Sequence, residues 1–189
     1  PYAIDGNQDN YPLMKPWNAQ HDVGIIDNIT LSKIYVGQDY PLNVTLTVTN
    51  IGDYPESTLL LINANLSCLD DDMRPVILSI GKSTDLTCNV TAKIPKGNYT
   101  ICACLTPVLD ENNIADNNRT CTTTILVTIP GDVNGDKKVN IVDTNSVATR
   151  YQSKKSDPNY DRNCDINDDG IINIYDLYII GTHFGQEWE

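Results

Sequence analysis

The sequence predicts a multidomain protein in which an all-β sandwich precedes a small all-α module. Apolar and polar residues alternate along several short segments between residues 21 and 129, as in strands with one buried face. A 12-residue pattern then occurs twice, at residues 132–143 and 165–176, and helical spacing follows each copy. We therefore expect a linker or arm from an upstream module at residues 1–20, the sandwich at 21–129 and the small module at 130–189.

The clearest predicted strand covers residues 43–49, where Val44, Leu46 and Val48 alternate with threonines. Successive side chains of a strand point to opposite faces, so this segment is expected to be half buried. Similar segments lie at 22–32, 57–67, 75–80, 84–92, 98–107 and 119–129, with turn-forming residues between them. About seven short strands with regular turns indicate an antiparallel β-sandwich of immunoglobulin-like type.

The repeated pattern places oxygen-bearing side chains at positions 1, 3, 5, 9 and 12 of a 12-residue loop. This is the spacing by which such a loop wraps Ca²⁺, with a backbone carbonyl at position 7. The sequence therefore predicts two Ca²⁺ sites. Their ligands are Asp132, Asn134, Asp136, Lys138, Asn140 and Asp143 in the first loop, and Asp165, Asn167, Asp169, Ile171, Asn173 and Asp176 in the second.

The turn at position 6 of such a loop favours glycine. Gly170 meets this demand in the second loop, whereas Lys137 of the first must adopt a left-handed conformation, so we expect the first site to be weaker. Pro130 and Gly131 stand directly before the first loop and exclude a helix entering it. Only helices that leave the loops are expected. The first covers about residues 142–152, and the second follows loop two, where apolar residues recur at i, i+3, i+4 and i+7 along one face. That face comprises Leu177, Ile180, Gly181 and Phe184.

Two loop–helix halves without entering helices resemble a type I dockerin. The resemblance covers Gly131 to about Gln186 and is carried by Gly131-Asp-Val-Asn-Gly-Asp136 followed by Lys138-Val-Asn140. It implies a calcium-dependent paired loop–helix (F-hand) fold that binds a cohesin domain and joins an exported protein to a scaffold or cell surface. Dockerin contacts lie at loop positions 10 and 11 and further along the exiting helices. The matching residues are Ile141, Val142, Thr149, Arg150, Ile174, Tyr175, Thr182 and His183.

Three segments of the predicted sandwich resemble the cell-adhesion-related domain called CARDB. They are Val48-Thr-Asn-Ile-Gly52, Ile94-Pro-Lys-Gly-Asn-Tyr-Thr-Ile101, and Asp110-Glu-Asn-Asn113 with Asp116-Asn-Asn118. The resemblance implies a spacer or adhesion module without a catalytic role. Residues 6–17 are similar to a segment that closes parallel β-helix repeats in secreted archaeal proteins; the alternative is that they pack against the sandwich.

Composition indicates an exported protein. The formal net charge of −12 argues against binding nucleic acid, which needs a basic face. No apolar run approaches the length of about 18 residues that suggests a membrane span. Six cysteines and six Asn-x-Ser/Thr sequons, at Asn28, Asn43, Asn65, Asn89, Asn98 and Asn118, favour a secreted or cell-surface protein and glycosylation. We expect it to be monomeric.

Strand parity predicts where the cysteines point. Cys68, Cys88 and Cys121 should face the core, whereas Cys102 and Cys104 should face outward. A disulfide between Cys68 and Cys88 is the first candidate, although six cysteines allow fifteen pairings. If all six pair, at least one bridge joins the two domains, because Cys164 lies in the small module. Zinc is disfavoured because the cysteines lack its usual ligand spacing.

No phosphate-binding loop, nucleophile elbow or His-Glu zinc motif occurs, so we expect a protein that is not an enzyme. Two alternatives to cohesin docking stay open. The calcium pair could be a structural cap of a surface adhesin, or the chain could be a carbohydrate-binding accessory region of a secreted enzyme. A third calcium site is also conceivable, at residues 70–72 or within 110–118.

Overall fold

The structure is a computed structural model that describes residues 19–65, 67–69 and 73–189. Nearly all of the arm expected at residues 1–20 lies outside the described residues. The strands are β1 (Val23–Ile25), β2 (Thr30–Leu31), β3 (Tyr35–Gly37), β4 (Pro41–Asn50), β5 (Glu56–Ala64), β6 (Ser67–Cys68), β7 (Arg74–Leu78), β8 (Ser83–Thr91), β9 (Gly97–Leu105) and β10 (Asn118–Thr128). The helices that follow are α1 (Ile141–Ala148) and α2 (Ile174–His183). The predicted order, an all-β region before a helical one, is confirmed.

The strands form two sheets. In one sheet β4 lies between β1 and β2 and also pairs with β8; in the other the order is β3-β10-β9-β5-β6, with β7 also on β5. All pairings are antiparallel except that of β3 with β10. This parallel pair brings residues 35–37 beside the end of β10, where the chain leaves for the helical part.

The alternation in β4 determines which side of its sheet is buried. Val44, Leu46 and Val48 lie in the core, while the threonines between them face outward. Thr45 and Thr47 form hydrogen bonds across to β8, with the Thr87 hydroxyl and the Asp85 carboxylate. The predicted half-buried strand is therefore confirmed, and its polar face is used for cross-strand bonds.

The helical part has its own apolar core. It contains Ile129, Val133, Val139, Val147, Cys164, Ile166, Ile172, Ile179 and Ile180, with Leu177, Tyr40, Tyr160 and Trp188 packed at its edge. The predicted buried face of α2 is correct for Ile180 and Leu177 but wrong for Gly181 and Phe184, which are exposed. Ile179 is buried instead, and the helix ends at His183, before Phe184.

The first helix is shorter than predicted. It ends at Ala148, whereas helical spacing suggested about Gln152. Gln152 has a left-handed φ of 66°, and its N–H donates to the Ile172 carbonyl at 2.7 Å. The chain therefore leaves the helix to pair with the second loop, and Tyr151 is exposed.

The predicted orientations of the cysteines hold wherever the structure describes the side chain. Cys88 and Cys121 are buried, and Cys102 and Cys104 lie half-buried on the outer face of β9. The Cys68 side chain lies outside the described residues, so its bridge to Cys88 stays a prediction. Cys102, Cys104, Cys121 and Cys164 are free thiols, so the conditional bridge between the domains through Cys164 is not formed.

Candidate metal loops and their surroundings

The carboxylates at positions 1 and 12 of both loops are buried: Asp132, Asp143, Asp165 and Asp176. Aspartate is rarely buried this completely unless it is paired. Asp143 accepts hydrogen bonds from the N–H groups of Val133 and Asn140, at 3.0 and 2.9 Å. Asp176 accepts those of Ile166 and Asn173, at 2.7 and 2.8 Å. Position 12 therefore ties the start of each loop to the start of its helix.

Each helix begins with the same capping arrangement. Asn140 is the N-cap of α1 and Asn173 that of α2, and each side chain accepts a hydrogen bond from the helix backbone. Asp143 and Asp176 complete reciprocal capping boxes by bonding back to the cap residue. The residues at positions 9 and 12, which were predicted as calcium ligands, thus also start the helices.

The carboxylate at position 1 of each loop accepts hydrogen bonds from the backbone of the turn. Asp132 accepts the N–H groups of Gly135 and Lys137 at 2.7 and 2.9 Å. Asp165 accepts those of Asp169 and Gly170 at 3.1 and 2.8 Å. This wrapping requires a left-handed residue at position 6, and both copies have one.

Position 6 differs chemically between the copies. Gly170 has φ of 89° and Lys137 has φ of 69°, the left-handed conformation predicted for this lysine. Such a conformation costs a residue with a Cβ about 1–2 kcal/mol. The Lys137 ammonium lies 4.6 Å from the centroid of the Trp188 ring, a cation–π contact that offsets part of this strain.

Burial raises the pKa of the Asp132, Asp165 and Asp176 carboxyls, although hydrogen bonds to each of them act in the opposite direction. A cation in the loop would favour their ionised forms. The donor set fits a hard cation, because carboxylate, amide and carbonyl oxygens are what Ca²⁺ takes. Within the described residues, no three Asp, Glu, His or Cys side chains converge as a metal cluster. The amides of Asn134 and Asn167 instead donate to Asp136 and Asp169, at 3.0 and 2.9 Å.

The side chains predicted to contact a partner lie at the helix starts and beyond. Ile141, Val142, Ile174 and Tyr175 are all exposed, so none of the four packs inside the module. Thr149 and Thr182 are also exposed, whereas Arg150 and His183 are half-buried. Arg150 forms an ion pair with Asp161, and His183 Nδ1 lies 2.9 Å from the Ile179 carbonyl oxygen.

Tyr178, which sequence reasoning missed, is 69% exposed on α2. It follows Ile174 by four residues and Tyr175 by three, so the three side chains share one side of the helix. The same periodicity could have found it from the sequence. At the matching position of α1 stands Asn145, so the two helices differ in their exposed apolar surface.

No local pattern in the sequence indicated the buried lysine that joins the second loop to the sandwich. Lys33 is 1% exposed, and its ammonium donates to the carbonyl oxygens of Asp165 and Ile166 at 2.9 and 2.7 Å. Burial lowers its pKa, while Asp168, Asp165 and Asp176 act in the opposite direction. A carbonyl pair in the loop thus receives a cationic donor from a different part of the chain.

Further bonds fasten the same region. The Asp168 carboxylate accepts hydrogen bonds from the Ser32 hydroxyl and the Asn43 N–H, at 2.6 and 3.0 Å. Asn163 Oδ1 accepts the N–H of Ile34 at 3.0 Å. In the first loop, the Thr128 hydroxyl donates to Asp132 at 2.6 Å. Both loops are therefore held against residues that lie in the sandwich strands or directly beside them.

Two matching loop–helix units, each with a buried, oxygen-rich loop, define a repeated loop–helix module carried on an all-β domain. Residues 130–184 match the family model of the dockerin type I domain, a non-catalytic module. This match confirms the resemblance of that part of the chain to type I dockerins.

Cellulosomal-scaffolding proteins B and A of Acetivibrio thermocellus are each 36% identical to the chain over 55 residues, 29% of its length. The chain spans 7% and 3% of these two relatives. Among solved structures, a CARDB domain from Pyrococcus furiosus, in complex with di-metal ions, is 22% identical. It aligns with 59% of this chain and 96% of its own, with a TM-score of 0.47. No helix in the described residues is long and apolar enough to cross a membrane.

Proposed function

We propose that the chain is a non-catalytic, calcium-dependent interaction protein. Its module at 130–189 docks a cohesin domain, and its sandwich at 21–129 serves as a spacer or adhesion module. The observation that carries this proposal is the exposure of four apolar side chains at the two helix starts, with exposed fractions of 51% to 67%. Clustered exposed apolar side chains mark interaction sites. The four are Ile141, Val142, Ile174 and Tyr175.

The second copy contributes the larger contact surface in this proposal. Tyr175 and Tyr178 are both exposed on α2, where α1 has Val142 and Asn145. Tyrosine is enriched among the residues that dominate interface energies, because it buries much surface at low entropic cost. Docking through the α2 side is therefore expected to be stronger than docking through the α1 side.

Two Ca²⁺ ions are assigned to the loop residues predicted from the sequence. Bound calcium would supply the positive charge that buried carboxylates otherwise lack. The loop residues themselves close the loops through hydrogen bonds. The aspartate at position 1 accepts N–H groups of the turn, and the aspartate at position 12 accepts the N–H of the helix N-cap residue. Since these carboxylates are buried, folding of the module is expected to depend on the metal.

Chelation tests the calcium part. In EDTA, residues 131–186 should lose their helical circular dichroism, because metal binding supplies folding free energy only where the ligands lie. The β-sheet signal should persist. Helical dichroism that is unchanged in EDTA would contradict the proposal.

Paired substitutions rank the two sites. Changing Asp165 and Asp169 together to alanine should cost more calcium affinity than changing Asp132 and Asp136, since the first loop already carries the strained Lys137. Calorimetric titration with calcium measures both affinities. Equal losses, or a larger loss in the first loop, would refute the ranking.

Charge reversal tests the docking surface. Tyr175→Glu and Val142→Glu together should weaken binding to a panel of recombinant cohesin domains by about 100-fold, as expected for changes that bury a charge at the centre of an interface. Thr122→Glu, on the exposed part of β10, is the matched control. Surface plasmon resonance measures the affinities, and circular dichroism checks the fold. Undiminished binding by the double variant would show that the cohesin interface does not include Val142 and Tyr175.

The proposed setting is outside the cell, with the docked cohesin anchoring this exported protein to a scaffold or surface. Its support is that five sequon asparagines are exposed: Asn28, Asn65, Asn89, Asn98 and Asn118. Asn43 is half-buried and accepts a hydrogen bond from the Asn89 side chain at 2.9 Å.

A second candidate function, a structural cap for the sandwich, is favoured by the contacts of Lys33 and Asp168 with the other domain. It predicts that the module stabilises the sandwich and binds no cohesin. Failure of the whole cohesin panel to bind, together with loss of sandwich stability on chelation, would favour this candidate.

A further inference from the structure

The loop between β9 and β10 carries acidic residues to the start of β1. Glu111 Oε1 accepts the Val23 N–H at 2.9 Å. Glu111 Oε2 accepts the Val108 N–H and the Asn117 Nδ2 amide, each at 2.9 Å. The Asp116 carbonyl accepts the Ile25 N–H at 2.9 Å. Glu111 thus holds the loop against β1 through Oε1 and closes the loop on itself through Oε2.

Asp22 and Asp116 meet in the same place. Asp22 lies beside Glu111, Asp116 and Asn113, and burial together with the two neighbouring carboxylates raises the pKa of the Asp22 carboxyl. A Cβ on Gly24 would stand 2.8 Å from Asp116 Oδ2, so glycine leaves the space that this carboxylate occupies. Three carboxyl groups and two amides therefore share one end of the sandwich.

Three oxygens of this cluster lack a partner. Asp22 Oδ1, Asp116 Oδ1 and Asn117 Oδ1 are buried and accept no hydrogen bond from any described residue. Asn117 is 1% exposed, and its amide group is fixed in the cluster by its bond to Glu111. A buried acceptor left unsatisfied costs about 1–3 kcal/mol, and more when it is charged. In the described part of the chain, no lysine or arginine forms an ion pair with these carboxylates.

We propose that this cluster binds a hard divalent cation, Ca²⁺, through Asp22, Asp116 and Asn117. The unpartnered atoms of these three residues are all oxygens, and hard cations take oxygen ligands. Asn113 donates a side-chain hydrogen bond to Asp22, and Glu111 is a positioning residue. Irregular ligands from a loop suit the flexible coordination of calcium better than the octahedral geometry that Mg²⁺ demands. Two carboxylates correspond to the weak range of extracellular modules, a dissociation constant of about 10⁻⁴ to 10⁻³ M.

The cluster is not a closed cage of three carboxylates. No three Asp, Glu, His or Cys side chains converge at a metal-binding point in the described residues, either here or in the two loops of the helical module. The proposed donor set is consistent with this, because it combines two carboxylates with the amide oxygen of Asn117. Calcium binding here concerns the sandwich itself and does not depend on cohesin docking.

The test is calcium titration of the full chain followed by amide NMR. The amides of Val23 and Val108, which donate to Glu111, should shift saturably at millimolar calcium in the native protein. Asp116→Asn should weaken this response at least tenfold, and Asp22→Asn should do the same if the first variant folds poorly. Asp27→Asn, an exposed site with the same charge change, is the control and should respond like the native protein.

The outcomes separate this site from the loop sites. Calcium binding to the two loops is measured from the amide shifts of Gly135 and Gly170. If the loops bind no calcium, the amide shift of Val23 in β1 still reports on the sandwich site. Saturable shifts at Val23 that Asp116→Asn and Asp22→Asn abolish support the site. Absent shifts, or shifts that all three variants retain equally, would overturn it and indicate buried water or a shared proton instead.

Discussion

The contact between Lys33 and the second loop offers the sharpest test of how the two domains are joined. Replacing Lys33 with methionine keeps a long unbranched side chain but removes the ammonium group. The Ile166 carbonyl oxygen, now 2.7 Å from Nζ, then loses its donor, and the Asp165 carbonyl oxygen, now 2.9 Å from Nζ, keeps only a long bond of 3.4 Å from the Asp168 N–H. Because the lysine is 1% exposed, water does not readily take its place.

The size of the effect follows from these two bonds. Each buried carbonyl without a partner costs about 1–3 kcal/mol, so roughly 6 kcal/mol is the upper bound for the pair, because the Asp165 carbonyl keeps its long bond from Asp168. The variant has no ammonium group to desolvate on folding, and it buries an apolar methionine side chain instead. Both effects stabilise the variant and offset part of this loss. We therefore expect Lys33→Met to lower the free energy of unfolding by about 3 kcal/mol at saturating calcium.

Urea unfolding followed by far-ultraviolet circular dichroism measures this difference, with Lys93→Met as the control. Lys93 is exposed beyond the end of β8, and its substitution should change the stability by less than about 0.5 kcal/mol. A Lys33→Met variant as stable as the Lys93→Met control would mean that the buried contact contributes nothing. The loop would then be held by other bonds.

Two further predictions concern packing and thiol chemistry. A Cβ on Gly135 (φ 74°) would overlap the ring of Tyr35, so Gly135→Ala should lower the melting temperature well beyond Gly185→Ala, where φ is 82° and the space is open. The latter should cost about 1–2 kcal/mol from backbone strain alone, and equal losses would contradict the packing argument. Burial raises the pKa of the Cys164 thiol to about 12, so at neutral pH iodoacetamide should modify the two outward cysteines of β9 long before Cys164. Peptide mass spectrometry reads the order, and early alkylation of Cys164 would show that its core opens readily.

The strands and the loops were predictable because their signals are local. Val44, Leu46 and Val48 alternate with threonines, and period two determines which side of β4 is buried. The loop spacing is equally local, and it correctly implied a left-handed Lys137. Such patterns depend on neighbours in sequence, which is what a single chain displays.

Features that depend on distant residues were not predictable. Lys33 lies 132 positions from Asp165, and an isolated lysine beside Ile34 suggests only a strand edge. The early end of α1 has the same origin, since Gln152 gives up helical geometry to pair with Ile172 of the second loop. In both cases a tertiary hydrogen bond overrides a local preference.

The way the loops meet the sandwich bears on whether docking and capping compete. Position 4 touches the sandwich in both copies, through the contact of Gly135 with Tyr35 and the bonds of Asp168 to Ser32 and Asn43. Positions 10 and 11 are exposed in both copies. The same loop positions therefore face the same way in each repeat, and the sandwich uses the turns while the helix starts stay free. A partner can approach the helix starts without displacing the sandwich, so the cap and the docking surface are compatible in one molecule.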